Sequence, residues 1–381
     1  MTAALAHAQG APCPTAVLDG RTLPETEPEL LAALAELRAG LTERGAGGVL
    51  KNAIVAPSRH PLFDLDYRFV QSLPQRVDSF DVRGSCGHSI LAAVEAAART
   101  GMIQPLVPGC RVRVNVLNNG DNVVCETEQT SEGGTRFTAH FLCSPPRPLT
   151  DLLLTGEAVT RVPFEGRDVT VSLVSMGNPY ILVPAHALGA ATEQELFTAG
   201  EDLFDTMRRL RRAVCEVRGW DPSGAFPKIA ALLPGASGGL AVRAVSVPSW
   251  HPTVALTGAI CLGAAAGIEG TVAHQLALRS GHRHGLLRLR TPGGVVQVAA
   301  SRAAPPQAAY AGAVAGTNGT NGAARTAAAD GTAPGPAALA WVSVGGKRVD
   351  YRGRLAWARA QAPSGTVTEP PEEHACLPLT V

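Results

Sequence analysis

Two stretches of this chain are apolar on nearly every side, and they constrain everything around them. One is Ile90-Leu-Ala-Ala-Val-Glu-Ala-Ala-Ala98; the other is Leu256-Thr-Gly-Ala-Ile-Cys-Leu-Gly-Ala-Ala-Ala266. Alanine and leucine favour helix. A helix with no polar face has no side to turn to water, so other structure must surround it. Segments suited to that task flank both stretches. Residues 66–70, 111–116, 122–127, 168–174, 239–247 and 286–290 read as strands, and Asn118-Asn-Gly-Asp121 is a hairpin signal between two of them. Aromatic residues make up only 4 per cent of 381, so Ala, Val and Leu must fill the core. The pattern implies two units, each with strands around one apolar helix.

Other elements fit around these. Residues 27–41 carry Leu30, Leu31, Leu34, Leu37 and Leu41 at helical spacing. Residues 192–217 read as one long helix opened by the capping box Thr192/Glu195. Arg208, Arg209, Arg211 and Arg212 near its end read as a solvated face at a favourable dipole end. The segment 145–163, with Pro145-Pro-Arg-Pro148, crosses to the second unit. Residues 303–339 are mostly Ala, Gly, Pro and Thr with almost no charge, and read as a low-complexity mobile loop. Regular structure resumes over 340–348 as a final strand and turn. The division expected is residues 1–160, completed by 350–381, and residues 161–350.

A net charge of +1 offers no field for nucleic acid or an anionic membrane. No apolar run reaches 18 residues without a charge or a breaker, and no basic region precedes an apolar one at the start. A soluble, cytoplasmic protein is expected. The eight cysteines, at 13, 86, 110, 125, 143, 215, 261 and 376, show no C-x-x-C and no paired spacing. That argues against both a zinc site and a disulfide framework.

The candidate chemistry sits at the mouth of the first apolar helix, in Asp81-Val-Arg-Gly-Ser-Cys-Gly-His-Ser89. Backbone N–H groups at a helix start have no internal partner and carry partial positive charge. They favour a thiolate at Cys86 and can hold a substrate carboxylate. The alternative for a lone cysteine is a small core residue. Lys51 follows the glycine loop 45–48 on a short strand; alone, it reads as a solvated strand residue. Thr257 is placed to cap the second apolar helix. His251 and His282 read as structural histidines.

Several stretches in order resemble the PrpF family, which includes 2-methylaconitate isomerase and related tautomerases on the diaminopimelate-epimerase fold. Val49-Leu-Lys51-Asn-Ala-Ile-Val55 is similar to the family's T-S-K-x-A-I-V, and Asp64-Leu-Asp-Tyr-Arg-Phe-Val-Gln71 to its D-V-D-Y-L-F-x-Q. Ser85-Cys-Gly-His88 resembles N-C-G-N, with His88 in place of the final Asn. Gly177-Asn-Pro179, Pro227-Lys-Ile229 and Thr257-Gly-Ala-Ile-Cys261 match G-N-P, P-K-[IVL] and T-G-A-[IM]-C, and His282-Arg-His-Gly285 echoes H-P-S-G. The family's early R-G-G-T-S-K-G is reduced to Asp19-Gly-Arg-Thr22.

The resemblance implies an α+β fold of two pseudo-symmetric domains, each a curved, mainly antiparallel sheet around a central apolar helix, with the active site in the cleft between them. It implies no metal and no organic cofactor, with Lys51 and Cys86 carrying proton transfers in an isomerase. The substrate implied is an unsaturated di- or tricarboxylic acid such as an aconitate, methylaconitate or oxalomesaconate-type compound. Binding would fall to Ser85, Gly87 and His88, to the amides near Thr257, Gly258 and Ala259, and to Arg21, Thr22, Asn178 and Arg83. A homodimer is left open. The rival readings are a non-catalytic organic-acid-binding member and an amino-acid epimerase; Ala255, where diaminopimelate epimerase has a second cysteine, argues against the latter.

Overall fold

In the computed structural model, which describes residues 2–236, 238–246, 249–303 and 337–356, the chain is a mixed α/β protein rich in strands. Most of the low-complexity segment, and residues 357–381, lie outside the described residues. The first half runs β1 (Thr2–Ala8), β2 (Thr15–Asp19), α1 (Glu27–Glu43), β3 (Lys51–Pro57), β4 (Leu65–Ser72), β5 (Phe80–Asp81), α2 (Gly87–Arg99), β6 (Arg111–Val116), β7 (Asn122–Ser131) and β8 (Gly134–Pro148). After β9 (Thr160–Phe164), the second half runs β10 (Arg167–Met176), β11 (Asn178–Pro184), α3 (Glu193–Thr198), α4 (Glu201–Arg218), β12 (Lys228–Pro234), β13 (Gly239–Ser246) and β14 (Ser249–Trp250). It ends with α5 (Leu256–Ala265), α6 (Val272–Arg279), β15 (Leu286–Thr291), β16 (Gly294–Ala303) and β17 (Ala338–Ala356).

The two halves share one order of pairings. In the first, β1–β2 is antiparallel, β2–β3 parallel, β3–β4 antiparallel, β4–β6 parallel, and β6–β7 and β7–β8 antiparallel. In the second, the same sequence of directions runs through β10–β11, β11–β12, β12–β13, β13–β15, β15–β16 and β16–β17. Parallel neighbours cannot be joined by a hairpin and need a crossover. Each half therefore uses two helical crossovers. The outer ones, α1 and α4, are amphipathic: Leu30, Leu34, Leu37 and Leu41 of α1 pack with Ala16, Leu18 and Val70, and Leu203, Met207, Leu210 and Val214 of α4 pack with Val169, Ile181 and Ile229. The inner ones are the apolar stretches. Residues 87–97 of α2 and all ten residues of α5 are buried, and both helices belong to one continuous core. The one buried acidic residue of α2, Glu95, is paired with the Nε of Arg99, the last residue of the same helix, at 2.9 Å.

Three details differ from expectation. The helix expected over 192–217 is two, because the chain turns extended at Ala199 and restarts at Gly200, which caps α4 without a side chain. Thr257 lies inside α5 rather than capping it; the cap position is Ala255. The strand expected to end in a turn near 348 continues to Ala356. Gly345 and Gly346 form a bulge, with Gly346 at φ 69°, and pairing with β8 resumes at Lys347.

Candidate active site

The starts of α2 and α5 abut. Gly87, the first residue of α2, packs so closely on Leu256, the first of α5, that a Cβ there would stand 2.7 Å from the Leu256 side chain. Gly258 meets the Tyr180 hydroxyl in the same way, at 2.6 Å. Asn178 ties the two starts together. Its Oδ1 accepts the Ser85 amide at 3.0 Å, and its Nδ2 donates to the Ser85 carbonyl at 2.7 Å and the Thr257 hydroxyl at 3.1 Å. Tyr67 donates to the Cys86 carbonyl at 3.3 Å, and the Thr15 and Ser89 hydroxyls bond at 2.9 Å. Two sets of orphan helix N–H groups thus converge where Cys86 occupies the N-cap of α2.

Lysines surround this point. Lys51 opens β3 and Lys228 opens β12, the same place in the repeated order of pairings. Of 33 basic Lys and Arg residues in the chain, only Lys51, Lys228 and Lys347 are lysines. All three lie within reach of His88 and His251 electrostatically, since each contributes to holding both imidazoles below their ordinary value. None has an ion pair: every ion pair among the described residues is made by an arginine or by His140. Lys51 and Lys347 are buried, and Lys228 lies 5.4 Å over the Phe226 ring. Burial, reinforced by Lys51 and opposed by Cys86, brings Lys228 down to about 8; burial alone brings Lys347 down to about 8. Burial pushes the Cys86 thiol up, but Lys51, Lys228 and Ser89 outweigh it and hold the thiol below its ordinary value. His88 and His251 stack with ring centroids 5.7 Å apart, and burial followed by the lysine charges keeps both neutral.

The structure brings Lys51, Ser85, Cys86, Gly87, His88, Asn178, Thr257, Gly258 and Ala259 to the paired helix starts. Asn178 spends its amide on Ser85 and Thr257, so it braces the site instead of holding a carboxylate. Arg21 and Thr22 are not in the site. β2 runs parallel to β3 with Thr15 beside Lys51 and Asp19 beside Val55, so residues past Asp19 lie at the opposite end of the strand from Lys51. There Arg21 pairs with Asp19 at 2.6 Å and lines a cavity with Thr100 and Gly101 at the far end of α2. Arg83 is half-exposed and paired with Asp81. His282 lines a cavity beside Gly263 and Gly267, beyond the other end of α5. Sequence reasoning gave Lys228 and Lys347 no role and read His251 as structural. Lys228 stood in a motif already noted, and the scarcity of lysine was the available signal. Among the described residues, no three His, Cys, Asp or Glu side chains converge to hold a metal, and no helix is long and apolar enough to cross a membrane.

The family described as PrpF protein matches residues 43–313. The chain is 29% identical over 275 residues to a putative isomerase, YbhH, of Escherichia coli, covering 67% of this chain and 77% of that protein. It is 26% identical over 289 residues to the 3-methylitaconate isomerase of Eubacterium barkeri, covering 65% and 75%. A crystal structure titled methylitaconate-delta-isomerase superposes with a TM-score of 0.60 at 21% identity, covering 95% of this chain and 99% of that one.

Proposed function

This chain belongs to the PrpF protein family of isomerases, and from that premise we propose that it shifts a double bond within an unsaturated di- or tricarboxylic acid by acid–base catalysis. One observation carries the substrate class: three lysines without counter-ions, Lys51 and Lys347 buried and Lys228 half-buried, gather around two helix starts, an environment that an anion of two or three carboxylates would neutralise. The reaction type follows the 3-methylitaconate isomerase relative. We also read the repeated pairings as two epimerase-like units with the site between them.

The chemistry needs a base, an acid and a place for negative charge. Cys86, held below its ordinary value by two lysines, serves as the thiolate base and removes a proton allylic to a carboxylate. The resulting dienolate spreads its charge onto that carboxylate, within reach of the helix N–H groups. The Lys51 ammonium returns a proton to the far carbon of the allyl unit. One proton leaves and one arrives, so the product is an isomer, and proton exchange with solvent restores both groups. Lys228 keeps the thiolate and dienolate compensated. A thiolate base suits a reducing compartment, and the seven cysteines among the described residues are free. Because Ala255 stands where α5 begins, a symmetric two-thiol epimerase is disfavoured.

Three variants test this, using a screen of aconitates, methylaconitate and itaconate analogues followed by ultraviolet absorbance. Cys86→Ala should lose ~10²–10⁴-fold in kcat with an unchanged melting curve. Lys51→Arg should be similarly inactive, because a guanidinium does not give up its proton, whereas Lys228→Arg should keep substantial turnover. Full activity in Lys51→Arg would remove Lys51 as the acid.

A further inference from the structure

The proposed proton transfers use Cys86, Lys51 and Lys228 and leave Lys347 without a task. Lys347 follows the glycine bulge of β17, is buried, and has neither an ion pair nor a hydrogen bond. Lys347 is held at the His251 turn: the Arg348 carbonyl, next along the strand, accepts the Gln9 amide at 2.7 Å, the Gly10 carbonyl accepts the Thr253 hydroxyl at 3.1 Å, and the Thr253 amide donates to His251. The lysines acting on the Cys86 thiol are Lys51 and Lys228, whereas Lys347 acts on His88 and His251. Those two imidazoles are fully buried and stacked. Each is neutral, so each has one donor and one acceptor nitrogen. His251 Nδ1 accepts the Thr253 amide at 3.2 Å, which places its proton on Nε2, and that nitrogen has no partner. Neither His88 nitrogen has a partner, nor does the Ser85 hydroxyl. Buried polar atoms are nearly always satisfied, so a cluster of orphans beside an unpaired cation calls for a partner that the chain itself does not supply.

We infer that Lys347, His88 and His251 form a second carboxylate subsite, apart from the carbon where the proton moves, so that the substrate carries a carboxylate outside its reacting allylic unit. The donors match such a group: an ammonium, the His251 Nε2–H and one N–H of His88 face an acceptor with two oxygens. Arginine plays no part; Arg83, the nearby candidate in the Cys86 loop, is committed to Asp81. The inference rests on the isomerase reading above but is tested by binding alone.

With three lysines in the chain, reductive methylation read by mass spectrometry resolves each one. Tricarballylate, a saturated tricarboxylate, should slow methylation of Lys51, Lys228 and Lys347 in the unaltered protein. Crotonate, with one carboxylate, should slow only Lys51 and Lys228. In Lys347→Met, the dissociation constant of tricarballylate should rise ~10–100-fold, the loss expected for a hydrogen-bonded charge pair. Protection of Cys86 from iodoacetamide by crotonate should be unchanged. If Lys347 methylates equally fast with and without tricarballylate, or if Lys347→Met weakens both probes alike, the subsite is overturned. Coverage of all three lysines in a protein that isomerises no unsaturated acid would support the subsite and sink the isomerase reading. Turnover with Lys347 uncovered would do the reverse.

Discussion

Arginine does not surrender its proton in proteins, whereas lysine does once buried. This chain divides its cations accordingly: arginine makes the ion pairs, and lysine is kept for the site. Lys228, brought down to about 8 chiefly by burial, should therefore shape the pH dependence. In the scheme above, kcat/KM rises as Cys86 loses its proton and falls as pH passes through about 8, where Lys228 loses the charge that supports the thiolate. In Lys228→Arg the charge at that position persists, so the alkaline fall should lessen, and it should vanish once Lys347, also brought down to about 8, is replaced by arginine as well; an unchanged fall in Lys228→Arg would assign it to another group. The place of Cys86 at a helix start was legible from sequence because glycines and an apolar helix bracket it. Lys347 was not. Gly345-Gly346 before it reads as a turn, and only cross-strand pairing with Phe137 shows that the strand carries on. Arg21 misled for a related reason: a motif fragment fixes no strand direction, and the parallel pairing of β2 puts the fragment at the wrong end.

Helix α4 positions the loop that leads into Lys228. Its four arginines were read as one solvated group, and Arg208 and Arg209 are indeed exposed. Arg211 is different. Its Nε donates to the Pro227 carbonyl at 2.7 Å, and its two amino groups reach Pro222, Gly224 and Phe226 carbonyls at 2.8, 2.6 and 3.0 Å. The loop so held interlocks with the one before Cys86. Asp81 accepts the Ala225 amide at 2.8 Å, and Gly84 leaves room for the Phe226 ring, which a Cβ would strike at 2.1 Å. Arg211→Met keeps the stem but leaves buried carbonyls unpaired, so stability should drop by ~1–3 kcal/mol, with kcat falling too. Arg208→Ala should change stability by less than ~0.5 kcal/mol. Equal melting temperatures for the two variants would show that the clamp is not holding the loop. Periodicity marked this helix but could not single out Arg211, since its acceptors follow in an irregular loop.

At the scale of the molecule, the repeated pairings were only half legible. Two apolar helices announced two units, but no local pattern shows that one strand, β17, would pair with β16, β8 and β1. That strand has a consequence in time. A chain leaves the ribosome from its N-terminal side onward, and β1 is made before every other strand of this fold, yet Thr2 finds its partner in Ala356 and Ala8 in Val349. Until those residues emerge, β1 has only β2 on one side, and the other edge stands open to any strand that passes. β8 waits for the same partner. The first half, though synthesised early, is thus finished late, and closing so long a loop delays folding. A chain stopped at residue 303 contains β1 to β16 and both apolar helices, yet should show no cooperative melting transition and should aggregate on heating or at high concentration. A sharp calorimetric transition in that truncated chain would mean that the early strands close among themselves, and that the last strand seals a structure already formed.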